Sequence, residues 1–163
     1  MSEADNRSTI LIVDDDANIR ETIRAILEQE GYVVETARDG REAIMKSDKA
    51  QFDLAMVDMR LPDMMGTELL RKIRPTTPKM QKIILTGYPS MKNAIDSVNQ
   101  GADGYILKPV EAGAVLTSIR EHLKKRKEET TYSEQKVKEY IIARGMEIDR
   151  QRRGESPTVR KSA

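Results

Sequence analysis

Short apolar runs alternate along this chain with stretches whose apolar residues recur at helical spacing. The runs cover residues 10–13, 32–34, 54–57, 83–85 and 105–107. Each run is continuous, which predicts a strand that is buried on both faces of a sheet. Between the runs, apolar residues three and four positions apart, such as Ile19, Ile23 and Leu27, predict a helix after every strand.

This alternation predicts an α/β fold in which a five-stranded parallel sheet is covered by helices on both faces. Glycine and proline residues separate the predicted elements, as expected for short surface connections. In such a sheet, ligands bind beyond the carboxyl ends of the strands. The residues that follow each apolar run are therefore the first candidates for function.

The chain beyond residue 123 follows a different pattern. We predict that the last helix of the sheet domain begins near residue 110 and ends in the basic run 124–127, and that a polar break covers 128–131. Thr131 and Glu134 have the spacing of a capping box, which predicts a second helix. From about Arg150 the composition is charged and poor in apolar residues, which predicts disorder. We therefore expect a disordered N-terminus (1–8), one domain (9–127) and a helical extension with a disordered tail (128–163).

Composition narrows the range of functions. The chain has 163 residues and no cysteine, which excludes disulfides, thiolate metal sites and a cysteine nucleophile. The formal net charge is +1, but acidic residues outnumber basic ones up to Leu123 and basic ones predominate after it. No apolar segment near the start resembles a signal sequence or a membrane span, so we expect a cytoplasmic protein without membrane attachment.

Carboxylates follow two of the predicted strands. Asp14, Asp15 and Asp16 come directly after the first apolar run, and Asp58 follows the third. Side chains at the carboxyl ends of parallel strands meet at one edge of the sheet, where like charges repel unless a cation binds. Oxygen ligands without histidine or cysteine favour a hard cation such as Mg²⁺. The alternative is that the aspartate triplet only caps the next helix.

Two further strand ends carry groups that suit a phosphoryl ligand. Thr86 and Gly87 follow the fourth run, and Lys108 and Pro109 follow the fifth. A hydroxyl beside a close-approaching backbone and a single ammonium group can hold and neutralise phosphoryl oxygens. Each pair alone is an ordinary strand end, but the acidic residues, Thr86 and Lys108 occur together in strand order.

With these residues, the chain resembles the receiver domains of two-component response regulators, of the chemotaxis-regulator type, over roughly its first 125 residues. The segments that carry the resemblance are 10–16 (ILIVDDD), 56–62 (MVDMRLP), 84–87 (ILTG) and 101–109 (GADGYILKP). The resemblance implies a doubly wound, flavodoxin-like fold with strand order 2-1-3-4-5, followed here by the helical extension.

The resemblance also assigns roles to particular residues. Asp58 would accept phosphoryl from a sensor histidine kinase or a phosphotransfer protein. Mg²⁺ would be bound by Asp15 directly, by Asp14 through water, by Asp58, and by the backbone carbonyl of Arg60. Thr86 and Lys108 would contact phosphoryl oxygens, and Thr86 with Tyr105 would form the switch.

Four further positions bear on these assignments. Met65 precedes Gly66, where the family usually has a polar residue, so the hydrogen bonding of this loop is not predicted. Arg60 and Tyr88 occupy positions that influence the lifetime of the phosphoryl group in the family. The single histidine, His122, lies away from the strand ends, and we expect no catalytic role for it.

Three functions compete. The first is a stand-alone receiver that signals to a downstream protein, with a homodimer through the fourth helix, fifth strand and fifth helix or through the C-terminal helix. The second is a DNA-associated regulator that uses the basic extension, although acidic residues are interspersed there and nucleic acid is not the expected partner. The third is an aspartyl-phosphate phosphohydrolase, which usually has two aspartates spaced by one on a single strand. Here Asp58 and the acidic residues after the first run lie on different strands, and Asp58 is followed by Met59 and Arg60. We therefore expect no enzymatic activity beyond self-phosphorylation and autodephosphorylation.

Overall fold

The computed structural model describes residues 7–76, 79–87 and 90–155. Most of the predicted disordered N-terminus and the end of the predicted disordered tail lie outside these residues, as does Tyr88. Within the described chain, strands and helices alternate. The strands are β1 (Thr9–Val13), β2 (Val33–Ala37), β3 (Leu54–Asp58), β4 (Gln81–Thr86) and β5 (Gly104–Leu107). The helices are α1 (Ala17–Gln29), α2 (Gly40–Lys49), α3 (Gly66–Lys72), α4 (Met91–Asn99) and α5 (Ala112–Arg152).

The sheet confirms the predicted fold class. Its strands are all parallel and lie in the order β2-β1-β3-β4-β5. Because successive side chains of a strand point to opposite faces, β1 contributes to two separate apolar clusters. Leu11 and Val13 lie in one cluster, and Ile10 and Ile12 lie in the other. The continuous apolar runs of β1, β3 and β4 thus belong to strands covered on both faces.

Strand β2 begins and ends later than its apolar run. The run predicts residues 32–34, whereas the strand covers Val33–Ala37 and lies at the edge of the sheet. An edge strand that pairs on one side only tolerates polar residues, and Glu35 is exposed. The apolar run therefore marks the strand's beginning and misses its end.

Helix α5 corrects one prediction. The polar segment 128–131 does not end the helix, which continues without interruption from Ala112 to Arg152. The segment contains neither glycine nor proline, the residues that end helices most strongly. Thr131 does not cap a new helix, since its hydroxyl donates to the carbonyl of Lys127 one turn earlier, at 3.0 Å.

The chain divides into two compact units, residues 1–126 and 127–163. The first contains the whole sheet and the helices that cover it, and the described part of the second is helical up to Arg152. No helix among residues 7–76, 79–87 and 90–155 is long and apolar enough to cross a membrane.

Candidate functional site

The parallel register of β1 and β3 places the acidic residues side by side. Val13 is paired with Val57, so Asp14 and Asp58, the next residues of each chain segment, lie at the same level of the sheet. Carboxylate oxygens of Asp14, Asp15 and Asp58 all lie within 4.8 Å of one another. The convergence that the sequence predicts is present in the structure.

The three consecutive aspartates have different environments. Asp14 is fully buried, and its Oδ1 accepts a hydrogen bond from the Asp16 amide at 2.9 Å. Asp16 caps α1, since its carboxylate accepts from the amides of Asn18 and Ile19. The capping explanation of the triplet therefore holds for Asp16, whereas Asp14 and the exposed Asp15 contribute to the carboxylate cluster.

Lys108 connects the two buried carboxylates. Its Nζ lies 2.9 Å from Oδ2 of Asp14 and 3.2 Å from Oδ1 of Asp58. The lysine follows β5, and its amide donates to the carbonyl of Thr86 at the end of β4. The peptide between Lys108 and Pro109 is cis. One ammonium group thus faces two carboxylates from separate strands.

Burial and neighbouring charge shift the ionisation of this pair. Burial, and after it the negative charge of Asp14, raises the pKa of Asp58 above its usual range, and the ammonium of Lys108 opposes this shift only in part. Burial acts to lower the pKa of Lys108, but its contacts with Asp14 and Asp58 outweigh burial and raise it. The lysine therefore stays charged, and the negative charge of the cluster is not fully compensated.

The two predicted switch residues lie on the neighbouring strands. Thr86 ends β4 and is buried, and Tyr105 in β5 packs its partly buried ring against the apolar cluster that includes Leu11 and Val57. The hydroxyl of Tyr105 is buried and has no hydrogen-bond partner among the described residues. Burying a hydroxyl without a hydrogen-bond partner costs free energy, so the hydroxyl of Tyr105 does not favour this position of the ring.

The loop after β3 is closed by backbone contacts. Gly66 donates its amide to the carbonyl of Met59 at 2.7 Å, and Arg60 pairs with Met65 as an isolated bridge. Met65 precedes α3 without a side-chain cap. A Cβ on Gly66 would lie only 2.2 Å from the carbonyl oxygen of Asp58. The loop therefore needs glycine at this position, and Met65 contributes to it through its backbone pairing with Arg60.

Asp63 makes a contact that the sequence did not indicate. Its two carboxylate oxygens each accept a backbone amide at 2.9 Å, one from Gly40 and one from Arg41. Burial acts to raise the pKa of Asp63, but these hydrogen bonds outweigh it and lower the pKa. The contact joins the loop after β3 to the first turn of α2, more than twenty residues away in sequence.

His122 lies away from the carboxylate cluster, as expected from the sequence. Its Nε2 is 3.1 Å from the carbonyl oxygen of Asp103, just before β5 begins, whereas the cluster lies where the strands end. Its Nδ1 is 2.6 Å from the carbonyl oxygen of Ser118 in the same helix. The contact with Asp103 joins α5 to the opposite end of the sheet, and the contact with Ser118 lies within α5.

The donor set fits a hard divalent cation. Three carboxylates meet with one lysine, and no histidine or cysteine ligand takes part in this cluster. The pKa of Asp58 is raised first by burial and then by repulsion from the charge of Asp14. A cation bound by these oxygens would relieve that repulsion.

Comparison with known proteins identifies the family. The response regulator receiver domain family matches residues 10–120. The transcriptional regulatory protein ResD of Bacillus subtilis is 36% identical over 129 residues, which cover 78% of this chain and 52% of that protein. AlgB of Pseudomonas putida, an alginate biosynthesis transcriptional regulatory protein, is 34% identical over 125 residues, covering 77% of this chain and 28% of that protein. The chain thus spans about half the length of these relatives or less.

Solved structures of single receiver domains match over nearly their whole length. A CheY-like receiver domain protein of Methanospirillum hungatei is 46% identical with a TM-score of 0.72, covering 76% of this chain and 99% of that chain. The chemotaxis protein CheY4 of Vibrio cholerae is 32% identical with a TM-score of 0.67, covering 71% and 98%. The chain belongs to the response regulator receiver domain family, whose members are phosphoacceptor signalling modules rather than catalytic enzymes.

Proposed function

We propose that this protein accepts a phosphoryl group on Asp58 in a Mg²⁺-dependent reaction and passes the signal to a protein partner through a changed surface. The observation that carries the proposal is the cluster of Asp14, Asp15 and Asp58 at the strand ends, with Lys108 bridging the first and the last. A receiver domain implies a histidine kinase as its partner. The donor here would be a sensor histidine kinase or a phosphotransfer protein.

Asp58 is the nucleophile in this proposal. One of its carboxylate oxygens forms a bond to phosphorus as the phosphorus–nitrogen bond of the donor phosphohistidine breaks. In-line phosphoryl transfer depends mainly on positioning and charge neutralisation. Lys108 already lies 3.2 Å from Asp58 and can move its contact to a phosphoryl oxygen, and the Thr86 hydroxyl is the second expected contact.

The metal would be held by residues of two chain segments, one after β1 and one at the end of β3. Asp15 would bind it directly, Asp14 through water, and Asp58 and the backbone carbonyl of Arg60 would complete the protein ligands. Mg²⁺ bound there would neutralise the charge on the transferring phosphoryl group. The exposure of Asp15 and the burial of Asp14 agree with these different roles.

The output surface is expected on α4, β5 and α5. Ile95 and Val98 of α4 and Leu107 of β5 are large apolar residues that are exposed. When a phosphoryl group draws Thr86 inward, the ring of Tyr105 would follow and alter this surface. The surface would then bind a downstream protein. Self-association, at this surface or through the C-terminal helix, is a separate expectation.

Binding to DNA is not part of the proposal. ResD and AlgB are named transcriptional regulatory proteins, but this chain covers half of their length or less. Within the basic run 124–127, Arg126 forms an ion pair with Asp53 at 2.9 Å. A DNA titration at several salt concentrations would test the alternative, because binding through phosphate contacts weakens steeply with salt.

Intact-mass measurement tests the phosphoacceptor assignment. The protein is incubated with acetyl phosphate, with and without Mg²⁺, beside Asp58→Asn and beside Asp48→Asn as a control at an exposed aspartate of α2. We expect one phosphoryl group to be gained only with Mg²⁺, by the wild type and the control but not by Asp58→Asn. A gain that persists in Asp58→Asn, or no gain in the wild type, would refute the proposal.

A further inference from the structure

The helix in the unit that begins at Lys127 exposes an unusual amount of apolar surface. The exposed fractions are 57% for Val137, 71% for Tyr140, 62% for Ile141 and 40% for Ile148, and Ile142 and Met146 are also exposed. In proteins, a helix gains most of its stability when an amphipathic face packs against another surface. Gly145, which lies inside the helix, weakens it further. We therefore expect part of this apolar surface to be covered by a binding partner.

Part of this surface forms a regular stripe. Val137, Ile141 and Ile148 are separated by four and seven positions, the spacing of residues on one side of a coiled-coil helix. Two charged residues complete the same repeat of alternating three and four positions. Glu134 lies three residues before Val137, and Arg144 lies three residues after Ile141. In chain order, the stripe consists of Glu134, Val137, Ile141, Arg144 and Ile148.

The charges at the two ends of this stripe decide which partner fits. In a parallel pair of identical helices in register, each residue faces its own copy, so Glu134 would face glutamate and Arg144 would face arginine. In an antiparallel pair centred between Val137 and Ile141, Glu134 faces Arg144 of the second copy, and Val137 faces Ile141. The stripe is complementary to itself only in the antiparallel orientation.

We propose that residues 127–152 form an antiparallel two-helix coiled coil with the same residues of a second copy of this chain. The interface is isologous, so each Glu134–Arg144 contact occurs twice. Arg144 is 2.7 Å from Glu147 of its own helix, and both side chains are about half exposed, so Arg144 can also reach a partner carboxylate. Lys138 flanks the twofold axis and faces its own counterpart, and this like-charge contact limits the affinity.

Charge exchange in the full-length protein tests both the interface and its orientation. Dimerisation is measured by analytical ultracentrifugation over a range of protein concentrations. Glu134→Arg and Arg144→Glu should each weaken the dimer by at least about tenfold, because each creates two like-charge contacts. The double variant restores opposite charges in the antiparallel pair and should return the dissociation constant to within a few-fold of the wild type.

Two controls separate this interface from other effects. Glu139→Arg with Arg150→Glu places the same exchange on the opposite side of the helix and should leave dimerisation unchanged. Far-UV circular dichroism shows whether a variant has lost helix instead of a contact. Asp58→Asn should dimerise like the wild type, so failure of the phosphoacceptor proposal and failure of this one can be told apart.

The outcomes are decisive. A wild type that stays monomeric at high concentration overturns the proposal, and so does a dimer that is insensitive to the single exchanges, since it would use another surface. A dimer that the single exchanges weaken but the double variant fails to restore overturns the antiparallel arrangement. The antiparallel arrangement is supported if each single exchange weakens the dimer and the double variant restores it.

Discussion

Gly66 shows how closely the backbone surrounds Asp58, the proposed phosphoacceptor. The space where its Cβ would be lies 2.2 Å from the carbonyl oxygen of Asp58 and 3.0 Å from the Cα of Met59. These are backbone atoms, which cannot move aside as a flexible side chain can. Glycine is therefore required by packing, since Gly66 is not among the glycines with positive φ.

Gly66→Ala should destabilise the protein by about 2–3 kcal/mol, because the new methyl group overpacks the loop against β3. It should also slow phosphorylation, because relief of the clash displaces Asp58. Denaturant unfolding and intact-mass kinetics measure the two effects.

Gly113→Ala is the matched control. Gly113 lies in α5, and nothing lies within 4 Å of its Cβ position, so this change should be neutral or stabilise by up to about 1 kcal/mol. Equal effects of the two substitutions would contradict the packing argument.

At the scale of elements, Asp63 couples the loop after β3 to α2. It accepts the amides of Gly40 and Arg41, while Asp39 accepts the amide of Glu42. Two carboxylates thus satisfy the first amides of one helix and complement its dipole. The loop that carries Arg60, whose carbonyl is a proposed metal ligand, is held in place by this contact with another element.

Asp63→Ala should lower the stability at neutral pH by about 1 kcal/mol or less, since the group is exposed and its interactions are screened. The pKa of Asp63 is lowered below the ordinary value of 3.8, so its contribution is complete above that value and is lost as the pH falls through the lowered pKa. The difference between wild type and variant should therefore shrink in acid. Unfolding at a series of pH values measures it.

Asp48→Ala is the control, because Asp48 is an exposed aspartate of α2, the helix that Asp63 contacts. Asp48 lies in the last turn of α2, where a negative charge is not favoured by the dipole. Its removal should leave the stability unchanged or raise it slightly at neutral pH. An equal loss in both variants would show that the Asp63 contact has no particular importance.

For the whole molecule, the carboxylate cluster should make stability depend on a divalent cation. Asp14, Asp15 and Asp58 come from chain segments that are brought together only by folding. An ion that binds the folded state alone stabilises it by mass action, by about 2.7 kcal/mol at a concentration one hundred times its dissociation constant.

Mg²⁺ should therefore raise the Tm of the protein by several degrees relative to the same buffer with a chelator. Asp15→Asn should remove most of this response while changing the metal-free Tm little, because Asp15 is exposed. Sodium chloride at matched ionic strength is the control. A Tm that responds equally to sodium and magnesium, or a full magnesium response in Asp15→Asn, would contradict a specific site.

The sequence alone determined the sheet and the convergence of its acidic residues. Continuous apolar runs that alternate with helical patterns favour parallel strands between two layers of helices, and parallel strands end at one edge, so the pattern predicts that Asp14 and Asp58 meet. Family resemblance added roles for Thr86, Tyr105, Lys108 and the Arg60 carbonyl, and these remain predictions.

Only the tertiary structure decided the contacts between distant segments. The amides that Asp63 binds, the lack of room at Gly66 and the shared contact of Lys108 with two aspartates depend on how separate loops pack, which no local pattern encodes. The same holds for α5, where a polar segment that resembled a break continues as helix. Local sequence determines periodicity and turn preference, so the strands and the strand-end residues could be predicted. Long-range packing determines which side chains and backbone groups meet, so those contacts required the tertiary structure.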